Sequence, residues 1–297
     1  MSQDWIQFVN TGVVPVGLML IMFSLGLTLA LRDFVLVVRS PLLVGAGFAT
    51  HLLVLPLLGF SIGWLFGLPP ELALGLFIVS LCPAGTTSNA MTFVGRGNVA
   101  LAVVLTALTS LVTVFTIPLA LSWAVPWFLS GGGREVPALS VPGVILQLVR
   151  ITVLPILAGM LVRRLWPELA ARMARWLRPT AFVILVVVIG FSVAVSVEMV
   201  LANLIGATPA IVALNLSAMA FGLLLGRAIG ADARDSMTLA IETGVQNVTL
   251  AIFLTLTVLG SLPLAVTQNI YGVVMLLNAS LLIRWWRRRI VAEADAR

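Results

Sequence analysis

Nine stretches of the chain, roughly 13–31, 41–66, 71–95, 98–123, 142–162, 179–199, 203–226, 236–259 and 263–283, are apolar over about the twenty residues a helix needs to cross a bilayer. Runs this long, without polar alternation, can satisfy their backbone in lipid only by hydrogen bonds inside each segment, which means helices. The 297 residues are 61% hydrophobic and 9% charged, whereas a soluble domain carries about 25% charged residues. The predicted fold class is an all-α integral membrane protein, a single membrane domain over 1–297.

All 17 basic residues are arginine. With the N-terminus outside, the inner loops hold Arg32, Arg39, Arg96, Arg163, Arg164, Arg172, Arg175, Arg178, Arg227 and Arg234, and the inner tail holds Arg284, Arg287, Arg288, Arg289 and Arg297. The outer loops hold only Arg134, and Arg150 falls inside the fifth segment with its head in reach of the outer interface. This asymmetry predicts an N-terminus outside and a C-terminus in the cytoplasm, in a plasma (inner) membrane. Arginines placed beside apolar segments fit anionic lipid headgroups, and nucleic acid is not expected as a partner. Trp5, Trp64, Trp123, Trp127, Trp166, Trp176, Trp285 and Trp286 sit near segment ends, where indole favours the headgroup level. The stretch 163–178 mixes Arg172, Arg175 and Arg178 with Leu169, Met173, Trp176 and Leu177, a pattern that predicts a short helix on the membrane surface. The run Gly131-Gly132-Gly133-Arg134 reads as the most flexible link, and the lone Cys82 as a small packing residue.

Two of the nine segments are interrupted. In the third, Cys82-Pro83-Ala84-Gly85-Thr86-Thr87-Ser88-Asn89 combines a residue without a backbone donor, a permissive glycine and four side-chain oxygens. Any of the first few polar residues there is able to cap a following half-helix. In the eighth, Ile241-Glu242-Thr243-Gly244-Val245-Gln246-Asn247 places one carboxylate deep in an apolar run, with Gly244 as the break and Asn247 beginning the outer half. An acid at that depth is costly and marks a functional site by default. The two segments run in opposite directions, so segments 1–4 and 6–9 read as an inverted repeat with broken, crossing helices and the binding site between them. Half-helix N-termini at the crossing favour an anion, and freed carbonyls with Glu242 favour a hard cation. Ser88, Asn89, Thr106 and Gln246 are candidate neutral oxygen ligands. His51, the sole histidine, lies about 15 Å into the second segment by its ten-residue distance from Pro41. It is a bonded neighbour of another helix, a neighbour of the ion site or a proton-coupling group. Asn215, inside the seventh segment, reads as helix-to-helix glue.

The segments Met22-Phe23-Ser24-Leu25-Gly26-Leu27-Thr28-Leu29, Cys82 to Asn89, Gly97-Asn98-Val99-Ala100-Leu101 and Glu242 to Asn247, in this order, resemble the bile acid:sodium symporter family over nearly the whole chain. The resemblance implies a nine-span bacterial-type member in which sodium drives import of an organic anion. It implies a core, about 41–123 and 203–283, that moves against a panel, about 13–31 and 142–199. It also implies a first sodium on Ser88, Asn89, Thr106 and Glu242, and a second on Glu242, the backbone of Thr243 and Val245, and the side chain of Gln246. Thr86 and Asn247 would touch the substrate. Two positions depart from the family pattern: Ala102 replaces a serine ligand, and His51 stands where a glutamine would complete the second sodium site.

The reading these residues lead to is a symporter with no enzymatic activity, taking sodium and a small organic anion, either bile-acid-like or a carboxylate. One sodium plus a proton on His51 is an alternative, as is an ion–proton exchanger, although exchangers need buried acids beyond Glu242. A membrane hydrolase lacks its Ser–His–acid or HExxH pattern here.

Overall fold

The computed structural model describes residues 7–130 and 139–295. The glycine run with Arg134, and also Trp5 and Arg297, lie outside them. Ten principal helices follow one another: α1 Asn10–Thr28, α2 Pro41–Leu65, α3 Pro70–Leu81, α4 Thr86–Val94, α5 Val99–Leu129, α6 Val141–Leu165, α7 Pro167–Ala228, α8 Ala233–Gly244, α9 Val248–Val258 and α10 Leu262–Asp295. Short helical turns over Leu31–Phe34 and Val35–Arg39 join α1 to α2. Among the described residues, α1, α2, α5, α6, α7 and α10 are long and apolar enough to cross a membrane, and α3 and α9 are apolar but shorter. The predicted third and eighth segments are each two helices: α3 and α4, then α8 and α9.

Helices α2 and α6 each carry a π-helical turn, over Thr50–Val54 and Val149–Val153. In both, the next helical stretch has proline at its second residue, Pro56 and Pro155. A proline cannot donate to the preceding turn, and one wider turn takes up the mismatch. His51 and Arg150 sit in these two turns.

The 62 residues of α7 depart most from expectation. A straight helix of that length would measure about 93 Å, three bilayer cores. Ser196, at φ −120° and ψ 21°, breaks it. Contacts with α10 show the consequence. Ser196 meets Asn269, Ile189 meets Gly272, and Phe182 shares a cavity with Leu276 and Ile283. Asn215 then returns to Tyr271 and Asn278. The chain runs along α10 in one direction and comes back in the other, so the two halves of α7 lie side by side. The sequence placed a loop at 200–202; the helix continues through those residues, and the break falls at Ser196.

A second difference concerns 163–178. No separate surface helix forms; α7 starts at Pro167 and continues through this stretch. Ala170 and Ala174 are buried with Leu27, against Phe23, Val162, Met173 and Leu177, so this face packs on α1 and α6. Those two helices cross in backbone contact. A Cβ on Gly26 would overlap the Ile156 carbonyl and lie 3.0 Å from the Gly159 Cα, the close approach that small residues permit between membrane helices. Arg163 donates to the Thr28 carbonyl and pairs with Asp33 at 3.6 Å, tying the same corner. Trp286, read as an interface residue, is buried.

Candidate functional site

The first break begins where α3 meets Pro83. The residue before a proline is pushed to extended geometry, and Cys82 adopts φ −71° and ψ 150°. Gly85 remains extended, at φ −88° and ψ 159°, before α4 starts at Thr86. No side chain caps α4, contrary to the expectation that one of its hydroxyls would. Ser88 N turns back to Gly85 O at 2.9 Å, and the N–H groups of Thr86 and Thr87 stay available to a ligand. The second break opens after Gly244, with Val245 at φ −105° and ψ 90°. Asn247 starts α9 as expected, its Oδ1 accepting from the Leu250 amide at 3.0 Å.

The two breaks meet. Gly85 N donates to Val245 O at 3.1 Å, and Asn247 N donates to Pro83 O at 2.9 Å. Ala84 and Gln246 thus form an antiparallel bridge at the crossing. A Cβ on Gly85 would lie 3.0 Å from Gln246 O, so the approach is close enough to favour glycine there. These bonds satisfy backbone groups that lipid would leave orphaned.

Behind the bridge, Glu242 is fully buried. Ser88 Oγ contacts its Oε1, and Thr106 Oγ1 lies 2.8 Å from its Oε2. The same Ser88 hydroxyl is 2.7 Å from Gly85 O, and the same Thr106 hydroxyl is 3.3 Å from Asn89 Oδ1. Each hydroxyl has one proton and two acceptors in reach. Residues from α4, α5 and α8 thus gather an oxygen-rich, proton-poor cluster, which is the donor set a hard cation uses. Ala102, one helical turn before Thr106 and also fully buried, presents a methyl where an oxygen would extend this set.

The remaining predicted ligands are less united. The Thr243 carbonyl accepts from Gln246 Nε2 at 2.7 Å, and the Val245 carbonyl is engaged by Gly85. Gln246 Oε1 is buried without a partner, which leaves one oxygen unspent at the crossing. His51 is buried, and both its ring nitrogens lack hydrogen-bond partners; it bonds to no other residue of the site. Thr86 lines a cavity of about 420 Å³ together with Thr87, Asn89, Ser24, Thr28 and Phe182. Asn247 is not among that cavity's lining residues. Its Oδ1 caps α9, and its buried Nδ2 is unpartnered.

Asn215, read as helix-to-helix glue, steadies the second break together with Tyr271 and Asn278, which the sequence reading did not single out. Gly244 O, at the end of α8, accepts from Asn215 Nδ2 at 2.7 Å and from Tyr271 Oη at 3.0 Å. Asn278 Nδ2 holds Asn215 Oδ1 at 2.9 Å. The signal was present: Tyr271 is the sole tyrosine, and a buried phenol seeks a partner.

Comparison with known proteins places this geometry. Residues 15–203 match the model of the Sodium Bile acid symporter family. The chain belongs to that family. The match stops short of Glu242, but similarity to family relatives runs further. The chain is 31% identical to the probable sodium/metabolite cotransporter BASS1 of Arabidopsis thaliana chloroplasts, over 97% of this chain and 70% of the relative. It is 28% identical to the uncharacterized sodium-dependent transporter YocS of Bacillus subtilis, over 93% and 84%. It is 26% identical to the ileal sodium/bile acid cotransporter of the rabbit Oryctolagus cuniculus, over 82% and 68%. The relatives carry the names of transporters, none that of an enzyme. With several helices long enough to span a bilayer, this family member is a multi-pass membrane protein.

Proposed function

We propose that the protein is a sodium-coupled symporter that imports a small organic anion by alternating access. The observation that carries this reading is the Glu242 cluster, in which four oxygen-bearing side chains from three helices share too few protons at the crossing of two broken helices. The 420 Å³ cavity beside Thr86 holds the uncapped start of α4, and none of the described residues in its wall is an arginine. An anion there is met by the positive end of α4 and by sodium behind it. Two sodium ions against one carboxylate leave about one positive charge, which an anionic substrate offsets, so each ligand strengthens binding of the other. The first ion sits on Ser88, Asn89, Thr106 and Glu242, and the second on Glu242, the Thr243 and Val245 backbone and Gln246. Thr86 contacts the substrate in this cavity, and Asn247, which does not line it, contacts the substrate in another conformation of the transport cycle.

In this reading the chain crosses the plasma membrane nine times, N-terminus outside and C-terminus inside, with the two halves of α7 counted as separate crossings. The antiparallel bridge between Ala84 and Gln246 supports an inverted repeat. Packing of α1, α6 and the start of α7 around Gly26, Gly159 and Ala170 supports a panel that moves as one unit against the core. The direct test is uptake into proteoliposomes with an inward sodium gradient. Glu242→Ala abolishes sodium-dependent uptake while the protein still inserts; wild-type uptake by that variant would refute the role of the carboxylate.

A second reading is favoured by the two unpartnered nitrogens of His51. Here one sodium is retained and a proton on His51 replaces the other. Uptake that depends on more than one sodium and is indifferent to His51→Gln excludes it.

A further inference from the structure

A second cavity, of about 760 Å³, lies on the far side of α4 from the cation cluster. One wall is a single face of α4, with Thr87, Ala90, Met91 and Val94 at helical spacing. The other is a face of α10, with Leu276, Ser280 and Ile283 followed by Arg284, Arg287 and Arg288. Phe182 of α7 closes one side. The groove is thus apolar along its length and cationic at one end. The three arginines are exposed, and among the described residues none has an acidic partner. From Leu276 to Arg288 the α10 wall rises about 18 Å, close to the ~15 Å depth of one hydrocarbon leaflet. Exposed Trp285 lies in the same turn as the arginines, which puts their heads at headgroup level.

We infer that this groove is a binding site for an anionic phospholipid of the inner leaflet, with an acyl chain between α4 and α10 and the phosphate on Arg284, Arg287 and Arg288. The inner placement uses the orientation proposed above, but lipid binding itself is independent of transport. Thr87, Ala90, Val94 and Phe182 also line the 420 Å³ cavity. The lipid tail therefore shares its walls with the substrate cavity, and its occupancy bears on how closely Phe182 approaches α4.

The test is native mass spectrometry of the full chain in detergent, titrated with dioleoylphosphatidylglycerol, with dioleoylphosphatidylcholine and with tail-free glycerophosphoglycerol. The wild type retains phosphatidylglycerol with roughly a hundredfold preference over phosphatidylcholine, the sum expected for three arginines, and binds the tail-free headgroup weakly. Arg284→Gln, Arg287→Gln and Arg288→Gln together remove the preference, whereas Arg164→Gln, Arg172→Gln and Arg175→Gln together keep it. Ser280→Trp fills the groove without touching the smaller cavity and lowers phosphatidylglycerol retention with every arginine intact. Equal retention of the two lipids by the wild type would overturn the inference. So would a preference that survives the Arg284/Arg287/Arg288 variant, a preference lost equally in the control triple, unchanged retention in Ser280→Trp, or a tail-free headgroup bound as tightly as the lipid. Each protein is first shown to be monodisperse and helical. Failure here leaves sodium-driven uptake, measured separately, untouched.

Discussion

Replacing Thr106 with valine removes one oxygen from the cation cluster and changes the side chain's shape very little. The hydroxyl lies 2.8 Å from Glu242 Oε2 and 3.3 Å from Asn89 Oδ1, fully buried. A hydrogen bond to a charged group contributes about 1.5–3 kcal/mol. If that contribution belongs to the ion-bound state, its loss raises the half-saturating sodium concentration roughly 10- to 150-fold. The sodium dependence of thermal stability measures this without transport, since a bound ion stabilises the folded state by RT ln(1 + c/Kd), with c the sodium concentration. Uptake in proteoliposomes measures it a second way, with the maximal rate approached again at high sodium. Thr109→Val is the control. Thr109 is equally buried on the same helix, but its hydroxyl returns to the carbonyls of Leu105, at 2.7 Å, and Thr106, at 3.2 Å. It makes no hydrogen bond to Glu242, and its loss leaves the sodium dependence in place. A Thr106→Val protein with wild-type sodium dependence, or a Thr109→Val protein shifted as far, would refute the assignment of the cluster as an ion site.

Three further outcomes follow from other contacts. Asn215→Leu strips one donor from Gly244 O and leaves Asn278 unpaired. It lowers the melting temperature by more than Tyr271→Phe, which leaves Asn215 on that carbonyl and costs about 1 kcal/mol; scanning fluorimetry ranks the two. Asn247→Ala weakens substrate binding more than sodium binding and also loses the α9 cap, worth about 1 kcal/mol. Asn247→Asp restores the cap but not the free Nδ2, so it regains stability without regaining substrate affinity in a binding titration. Gly159→Leu cannot fit against Phe23 O and Leu27 N; it separates α1 from α6 and destabilises by at least about 1–3 kcal/mol, read as a lower melting temperature.

The sequence made the apolar helices and the two breaks readable because each depends on local chemistry. Pro83 cannot continue α3, Gly85 tolerates the close approach of Gln246, and an acid at position 242 has no reason to sit in lipid. Ser88, Asn89, Thr106 and Glu242 lie together in the structure. What stayed hidden depends on direction and partnership. Hydropathy separated 179–199 from 203–226 and so gave a reversal there, but nothing at Ser196 marks it as the break, since it is neither proline nor glycine. The face of 163–178 looks amphipathic whether it meets headgroups or α1, and only the packing of Ala170 and Ala174 on Leu27 decides. Gly26 and Gly159 are 133 positions apart, and their contact depends on how α1 and α6 are docked.

The backbone at the crossing is used asymmetrically, and this orders the ligands. Past Glu242, the three successive carbonyls of Thr243, Gly244 and Val245 each already accept a hydrogen bond: from Gln246, from Asn215 and Tyr271, and from Gly85. The negative end of α8 is thereby partly offset, with one lone pair left on each of the Thr243 and Val245 carbonyls for an ion. The start of α4 is not, since no side chain caps it and Thr86, Thr87 and Asn89 face the cavity. Positive potential from α4 is thus left toward the cavity while negative charge concentrates on Glu242 behind it. A cation drawn to the carboxylate then lies next to a place prepared for an anion, and neither charge is fully balanced until both arrive. Capping α4 from within the chain would work against that arrangement, which is a physical reason for Gly85, rather than a serine or aspartate, to occupy the cap.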